Sequence, residues 1–185
     1  MNIFILNKNP VIAAQEQCDK HVVKMILESA QMLSTCHRML DGSETRKPSK
    51  SGKTMSKYWV LPDDNKESVM YKAVHMNHPC TVWTRESHEN YNWHYEHFVA
   101  LCEEYTYRYG RVHATDAKLR IMLKELPTNI PMIDQTQFKL AMEHEPQCKL
   151  PCPIESYQRY YETKQVNFKM AWTKRNKPEW FNAYV

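Results

Sequence analysis

Glycine is scarce, with three residues in a chain of 185. Sheet-rich folds with many tight turns need backbone at positive φ, which glycine adopts most readily. The shortage therefore argues for helices and against such architectures. No stretch approaches 18 consecutive apolar residues, which removes a membrane-spanning helix. The opening residues, Met1 to Pro10, lack the basic leader and small-residue cleavage site of a secretion signal, so a cytoplasmic location is expected. Cysteines are present at 18, 36, 80, 102, 148 and 152, without disulfide-framework spacing. In a reducing compartment they are expected as thiols. Cys148 and Cys152 could share a metal, but a second ligand pair is missing and Pro151 and Pro153 suit a rigid turn. No metal and no cofactor is expected. Internal repeats, low-complexity tracts and domain linkers are also lacking, so residues 1–185 read as a single domain.

What is there fits a globular protein. Apolar residues make up 42% and charged residues 25%, and 185 residues are enough to bury a core. The formal charge of +4 permits a polyanionic partner without demanding one. The expected fold is mainly α, a compact helical domain built on a long N-terminal helix, with irregular loops.

Along the chain, Met1 to Leu6 reads as an extended apolar segment. Asn9-Pro10 supplies a capping side chain and a proline at the first helical position. From there the spacing predicts one helix over about 11–40, stopped by Gly42, with Val22, Ile26, Ala30, Leu33 and Leu40 on its apolar face. A polar, basic loop is expected over 42–57 and a helical stretch over about 66–74. A central helix over about 87–109 would be capped by Ser87 and stopped by Gly110. Thr115 or Asp116 would cap a shorter helix. Residues 127 to 153 carry five prolines and little periodicity, which predicts an irregular connection. A helix over about 154–172 and an aromatic, basic tail finish the chain.

Opposite the apolar face of the first helix, Gln17, His21, Lys24, Glu28, Gln31 and Thr35 recur at steps of three and four. Such a stripe suits a plain solvated helix side. Yet Met25, Met32 and Met39 flank it, and it brings an imidazole, an ammonium and a carboxylate within two turns, material for acid–base work.

Asp19-Lys20-His21, then six residues, then Glu28 on a long N-terminal helix resembles the phage pyrimidine dimer DNA glycosylases, the endonuclease V class. The likeness continues through a basic loop, a motif around His78 with Trp83 beyond it, and a helix ending Glu103-Glu104 and Arg108-Tyr109-Gly110. It ends in the aromatic tail around Trp180, Phe181 and Tyr184. The resemblance implies an endonuclease V-like fold and cleavage of the glycosidic bond of a damaged or modified pyrimidine in duplex DNA, in a phage-infected host cell. Members use the N-terminal α-amine as nucleophile. The choice is chemically sound, because an α-amine has a pKa of about 7.7–8.0 against about 10.4 for lysine, so far more of it is unprotonated near neutrality. Carried over, the resemblance implies an amine at Met1 or Asn2 and Glu28 as the assisting carboxylate, with His21 beside it. The family places a small residue and then arginine after the initiator methionine, and arginines around its glutamate. Here Asn2, Ile3, Leu27 and Gln31 stand there, with Lys24 as the cation. Another nucleobase- or nucleotide-directed enzyme on the same fold, or a non-catalytic nucleic-acid-binding accessory protein, therefore also fits the sequence.

DNA is the expected partner. Arg46, Lys47, Lys50, Lys53 and Lys57 crowd twelve positions without an acid between them, a pattern that suits phosphates as well as a merely solvated loop. Among the aromatics near the C-terminus, Tyr157, Tyr161, Phe168 and Trp172 follow helical spacing and read as core. Lys174, Arg175, Lys177 and Trp180 are the better contact candidates. His78 is read as a helix cap or a site residue. His94 and His97 with Glu104 could hold a metal, but surface histidines account for them more simply. Oligomeric state is not readable from the sequence.

Overall fold

A computed structural model describes residues 1–49 and 51–182. The fold is mainly α, as the glycine shortage and the capping signals predict. Among the described residues, the α-helices and strands follow in the order α1 (Pro10–Gln15), α2 (Asp19–Asp41), β1 (Ser43–Pro48), β2 (Met55–Val60), α3 (Asp64–Val69), α4 (Pro79–Glu86), α5 (His88–Tyr109), α6 (Ala114–Leu119) and α7 (Pro153–Glu162). The two long helices, α2 and α5, pack on each other, with α1 against α5 and α4 against both. A shared core runs from Ile3 through Trp83, Tyr91 and Phe98 to Tyr161 and Phe181.

The helix expected over 11–40 is two helices, and the break explains itself through hydrogen bonds. Cys18 N–H donates to the Tyr161 hydroxyl (2.9 Å), and Asp19 N–H donates to Ala171 O (2.8 Å). The carbonyls of Gln15 and Glu16 are taken by Arg108 Nη2 (3.0 Å) and Trp172 Nε1 (2.8 Å). Four backbone groups thus leave the i→i−4 ladder for partners distant in sequence. No proline or glycine marks the place, so local sequence gives no sign of it. At the far end, Gly42 is required by close approach: a Cβ there would lie 2.4 Å from Arg38 O. Gly110 instead caps α5 in the left-handed region at φ 68°.

The loop expected over 42–57 is an antiparallel hairpin, pairing Thr45 with Tyr58 and Arg46 with Lys57. Its lysines masked strand-forming Thr45, Tyr58, Trp59 and Val60. A lone hairpin is marginal in water, and this one is moored at its base. The buried Arg38 guanidinium donates to Trp59 O (2.7 Å), Tyr71 O (2.6 Å), Met70 O (3.0 Å) and Glu67 Oε2 (2.6 Å). Arg38 takes the Glu67 and Met70 carbonyls, which the N–H groups of Tyr71 and Val74 would need, and α3 stops at Val69 rather than running to 74.

Near the C-terminus, the helix expected over 154–172 ends at Glu162. Thr163 Oγ1 donates back to Tyr160 O (2.8 Å), a short 3-10 turn follows over Thr163–Val166, and the chain continues irregularly. His113, rather than Thr115 or Asp116, caps α6. His94 and His97 are not surface residues. Both are fully buried: His94 Nδ1 sits 2.8 Å from Thr84 Oγ1, and His97 stacks on Trp93. Among the described residues, no group of three or more His, Cys, Asp or Glu could hold a metal ion, and the six cysteines are free thiols.

Candidate active site

The N-terminal segment is held as a strap across α2. Asn2 Nδ2 donates to Ala141 O (2.9 Å) while its Oδ1 accepts from Phe4 N–H (2.9 Å). Gln17 donates to Ile3 O (3.1 Å) and Gln158 to Leu6 O (3.0 Å). Phe4 adopts φ 54°, a conformation that costs a bulky residue energy and turns the strap at this point. The strap brings the chain's first atoms to Glu28. The Met1 amine lies 3.8 Å from Glu28 Oε2, and Asn2 N–H donates to the same oxygen at 3.1 Å. Lys24 Nζ, one turn back on α2, sits 3.2 Å from Oε1. Both carboxylate oxygens therefore have cationic or N–H neighbours, and the side chain is only 12% exposed.

These groups line a cleft of about 280 Å³. His21 forms part of its wall, stacked on Phe4 at 4.7 Å, with Nδ1 at 2.7 Å from the Tyr161 hydroxyl. Burial, reinforced by Lys24 and Lys164, pushes its pKa down to about 3, so the imidazole is neutral at physiological pH. The tautomer follows from hydrogen-bond bookkeeping. Tyr161 Oη already accepts from Cys18 N–H, and its own proton needs an acceptor. His21 Nδ1 supplies one, leaving Nε2–H as a donor. His78 caps α4 by accepting from Cys80 N–H (3.2 Å). Its pKa is lowered by burial and by the charge of the N-terminal amine, and raised by Glu28, which puts the ring within electrostatic reach of both.

The family model for pyrimidine dimer DNA glycosylase matches residues 1–118. The chain belongs to the pyrimidine dimer DNA glycosylase family. No curated protein and no solved structure matches it. The matched segment carries the strap, α1 to α5, the hairpin, Glu28 and His78. Family membership makes this a DNA repair glycosylase and DNA its substrate class. Among the described residues, no helix is long and apolar enough to cross a membrane.

Of the residues singled out from sequence, the cleft gathers Met1, Asn2, His21, Lys24 and Glu28, with His78 adjoining. The stripe is not a solvated helix face: Gln17 and Thr35 are fully buried, and Gln17 lies outside α2. Gln31 is half-buried one turn beyond Glu28 and does not line the cleft. Arg46 and Lys47 project from the hairpin and Lys53 from its turn, whereas Lys50 and Tyr184 lie outside the described residues. The tail candidates dock on the protein itself. Lys174 Nζ donates to Tyr107 O (2.8 Å), Arg175 pairs with Glu104 (2.9 Å), Lys177 sits over Phe181, and Trp180 packs edge-on against Tyr161.

Sequence reasoning missed the cleft's far wall. Phe4, Tyr160, Lys164 and Phe168 line it, and the last three lie beyond the segment the family model covers. The only local signal was Lys164 one turn after Tyr160, and Lys164 Nζ indeed sits 3.6 Å from that ring's centroid. Asp19 also takes a role that sequence did not suggest. It binds Arg108 Nη1 (2.8 Å) and both Thr173 N–H (2.9 Å) and Thr173 Oγ1 (2.7 Å), tying α2 to α5 and the tail.

Proposed function

We propose that the protein excises a damaged or modified pyrimidine from duplex DNA through its terminal amine. The observation that supports this reading best is the convergence of the Met1 amine, the Asn2 N–H and Lys24 on Glu28 at the floor of an open cleft. The unprotonated amine attacks sugar C1′, forming a C–N bond as the bond from C1′ to the pyrimidine nitrogen breaks. The base leaves with that electron pair and takes up a proton. Loss of the remaining amine proton and opening of the sugar ring give an imine, and proton removal from C2′ then expels the 3′ phosphate. Glu28 is positioned to accept the proton from the amine and to return one to the ring oxygen, with Lys24 keeping its charge balanced. Neutral His21 offers an N–H donor rather than a second positive charge, so it can orient the sugar without repelling the amine.

Borohydride reduction of the imine on UV-irradiated duplex tests the mechanism directly. Wild-type protein is expected to give a covalent protein–DNA adduct, and Glu28→Gln to lower its rate of formation by roughly 100-fold or more. No adduct with the wild type, or an undiminished one with Glu28→Gln, overturns it.

A further inference from the structure

The amine that attacks the sugar in the excision reading sits on a chain end, and chain ends fray unless something ties them down. Glu28 does not tie this one. At 3.8 Å the Met1 amine and Glu28 Oε2 attract as charges but stand too far apart for a hydrogen bond. The nearest fixed point is the next residue. Asn2 is 5% exposed, and its N–H holds the same carboxylate oxygen at 3.1 Å. Its carboxamide is gripped at both ends, with Nδ2 donating to Ala141 O (2.9 Å) and Oδ1 accepting from Phe4 N–H (2.9 Å). The second contact closes a local turn of the Asx kind and holds Phe4 at φ 54°.

The carboxamide does both jobs at once. An ionised aspartate could accept from Phe4 N–H but has no proton to give Ala141, and a leucine offers neither group. The anchor is itself anchored. Ala141 N–H donates to the Tyr157 hydroxyl (3.2 Å), which donates onward to Lys139 O (2.7 Å), and Tyr157 is fully buried on α7. Ala141 and Tyr157 lie beyond residues 1–118, so the amine is held by a part of the chain that the family model does not cover.

We propose that Asn2 is the positioning residue of the terminal amine, latching it over Glu28 through Ala141 and Tyr157. The latch rests on the excision reading for the amine's role. Attack on C1′ tolerates little misalignment, and a displacement of about 1 Å costs roughly 100-fold in rate. A strap freed at Asn2 leaves Glu28, Lys24 and the DNA-facing surface in place, with the amine out of line for the sugar.

Asn2→Leu, Tyr157→Phe and the double variant test it, each with an intact Met1 verified by mass and each assayed at a temperature where it is folded. With saturating dimer-bearing duplex, Asn2→Leu is expected to slow borohydride-trapped adduct formation roughly 10- to 100-fold at unchanged duplex affinity. Tyr157→Phe is expected to slow it by up to roughly tenfold. The double variant is expected to be no slower than Asn2→Leu alone, because both changes open one latch. Either single variant trapping at the wild-type rate overturns the latch. So does a rate loss matched by an equal loss of affinity, or a double variant slowed by the product of the two single effects. Acylation of the α-amine near neutral pH, without DNA, separates the latch from the chemistry. Asn2→Leu is expected to label severalfold faster than wild type. Faster labelling where the wild type forms no adduct removes the excision mechanism and keeps the latch. Equal labelling removes the latch, whatever the adduct does.

Discussion

The Tyr161 hydroxyl accepts from the Cys18 amide at the break between α1 and α2, and it lies 2.7 Å from His21 Nδ1. Replacing Tyr161 with Phe leaves a buried N–H without a partner, and a urea titration is expected to show a loss of about 1–3 kcal/mol. The same change frees His21 to turn or switch tautomer, so imine trapping should slow even at temperatures where the variant stays folded. An unaltered urea midpoint would remove the hydroxyl's structural role. Such pairings were only half legible in the sequence. His21, Lys24 and Glu28 could be assigned to one side because a helix repeats its faces every three to four residues. Phe4, Tyr160, Lys164 and Phe168 could not be assigned to the cleft. They reach it through the turn of the strap and through a chain reversal some 130 residues downstream, and neither leaves a periodic trace.

Elements tell a similar story. Capping signals placed the start of α1 at Pro10 and the limits of α5 at His88 and Tyr109, since Asn9, Ser87 and Gly110 act through neighbours in sequence. The interruption at residues 16–18 was hidden because tertiary partners take the backbone groups that would have continued the ladder, whereas α7 ends where Thr163 Oγ1 turns back on Tyr160 O and the chain tightens into a 3-10 turn. The hairpin depends on one carboxylate. Glu67 accepts from Arg38, Tyr58 and Leu61 N–H; burial alone would raise its pKa, but these donors outweigh it and bring it to about 2. Glu67→Ala strands the buried Arg38 and is expected to cost about 3–5 kcal/mol in chemical denaturation. Amide exchange at Thr45 and Tyr58 should accelerate well beyond that of α5. Uniform acceleration through both elements would show that the hairpin does not hang on this residue.

Across the whole molecule, four buried histidines are held neutral. Burial takes His21 and His97 to about 3 and His37 to about 4, with His94 also well below its ordinary value. In the unfolded chain each binds a proton near pH 6.5. Below that pH the unfolded state therefore takes up more protons than the folded one, and stability must fall with pH. Melting temperature is expected to hold above pH 6.5 and to drop steadily from there toward pH 4. A flat profile across that window would mean that these imidazoles are charged in the folded protein. Composition forecast the helical class at this scale, yet the burial of His94 and His97 ran against the usual preference of histidine for partial exposure.

The cleft's two sides come from segments about 130 residues apart in sequence. The amine and Glu28 lie within the first 28 residues, whereas Tyr160, Lys164 and Phe168 follow that much later. A nascent chain would thus carry the amine and Glu28 well before the wall that encloses them. Enclosure comes after both groups, so a chain cut short of residue 160 would have an open groove where this one has a bounded cleft.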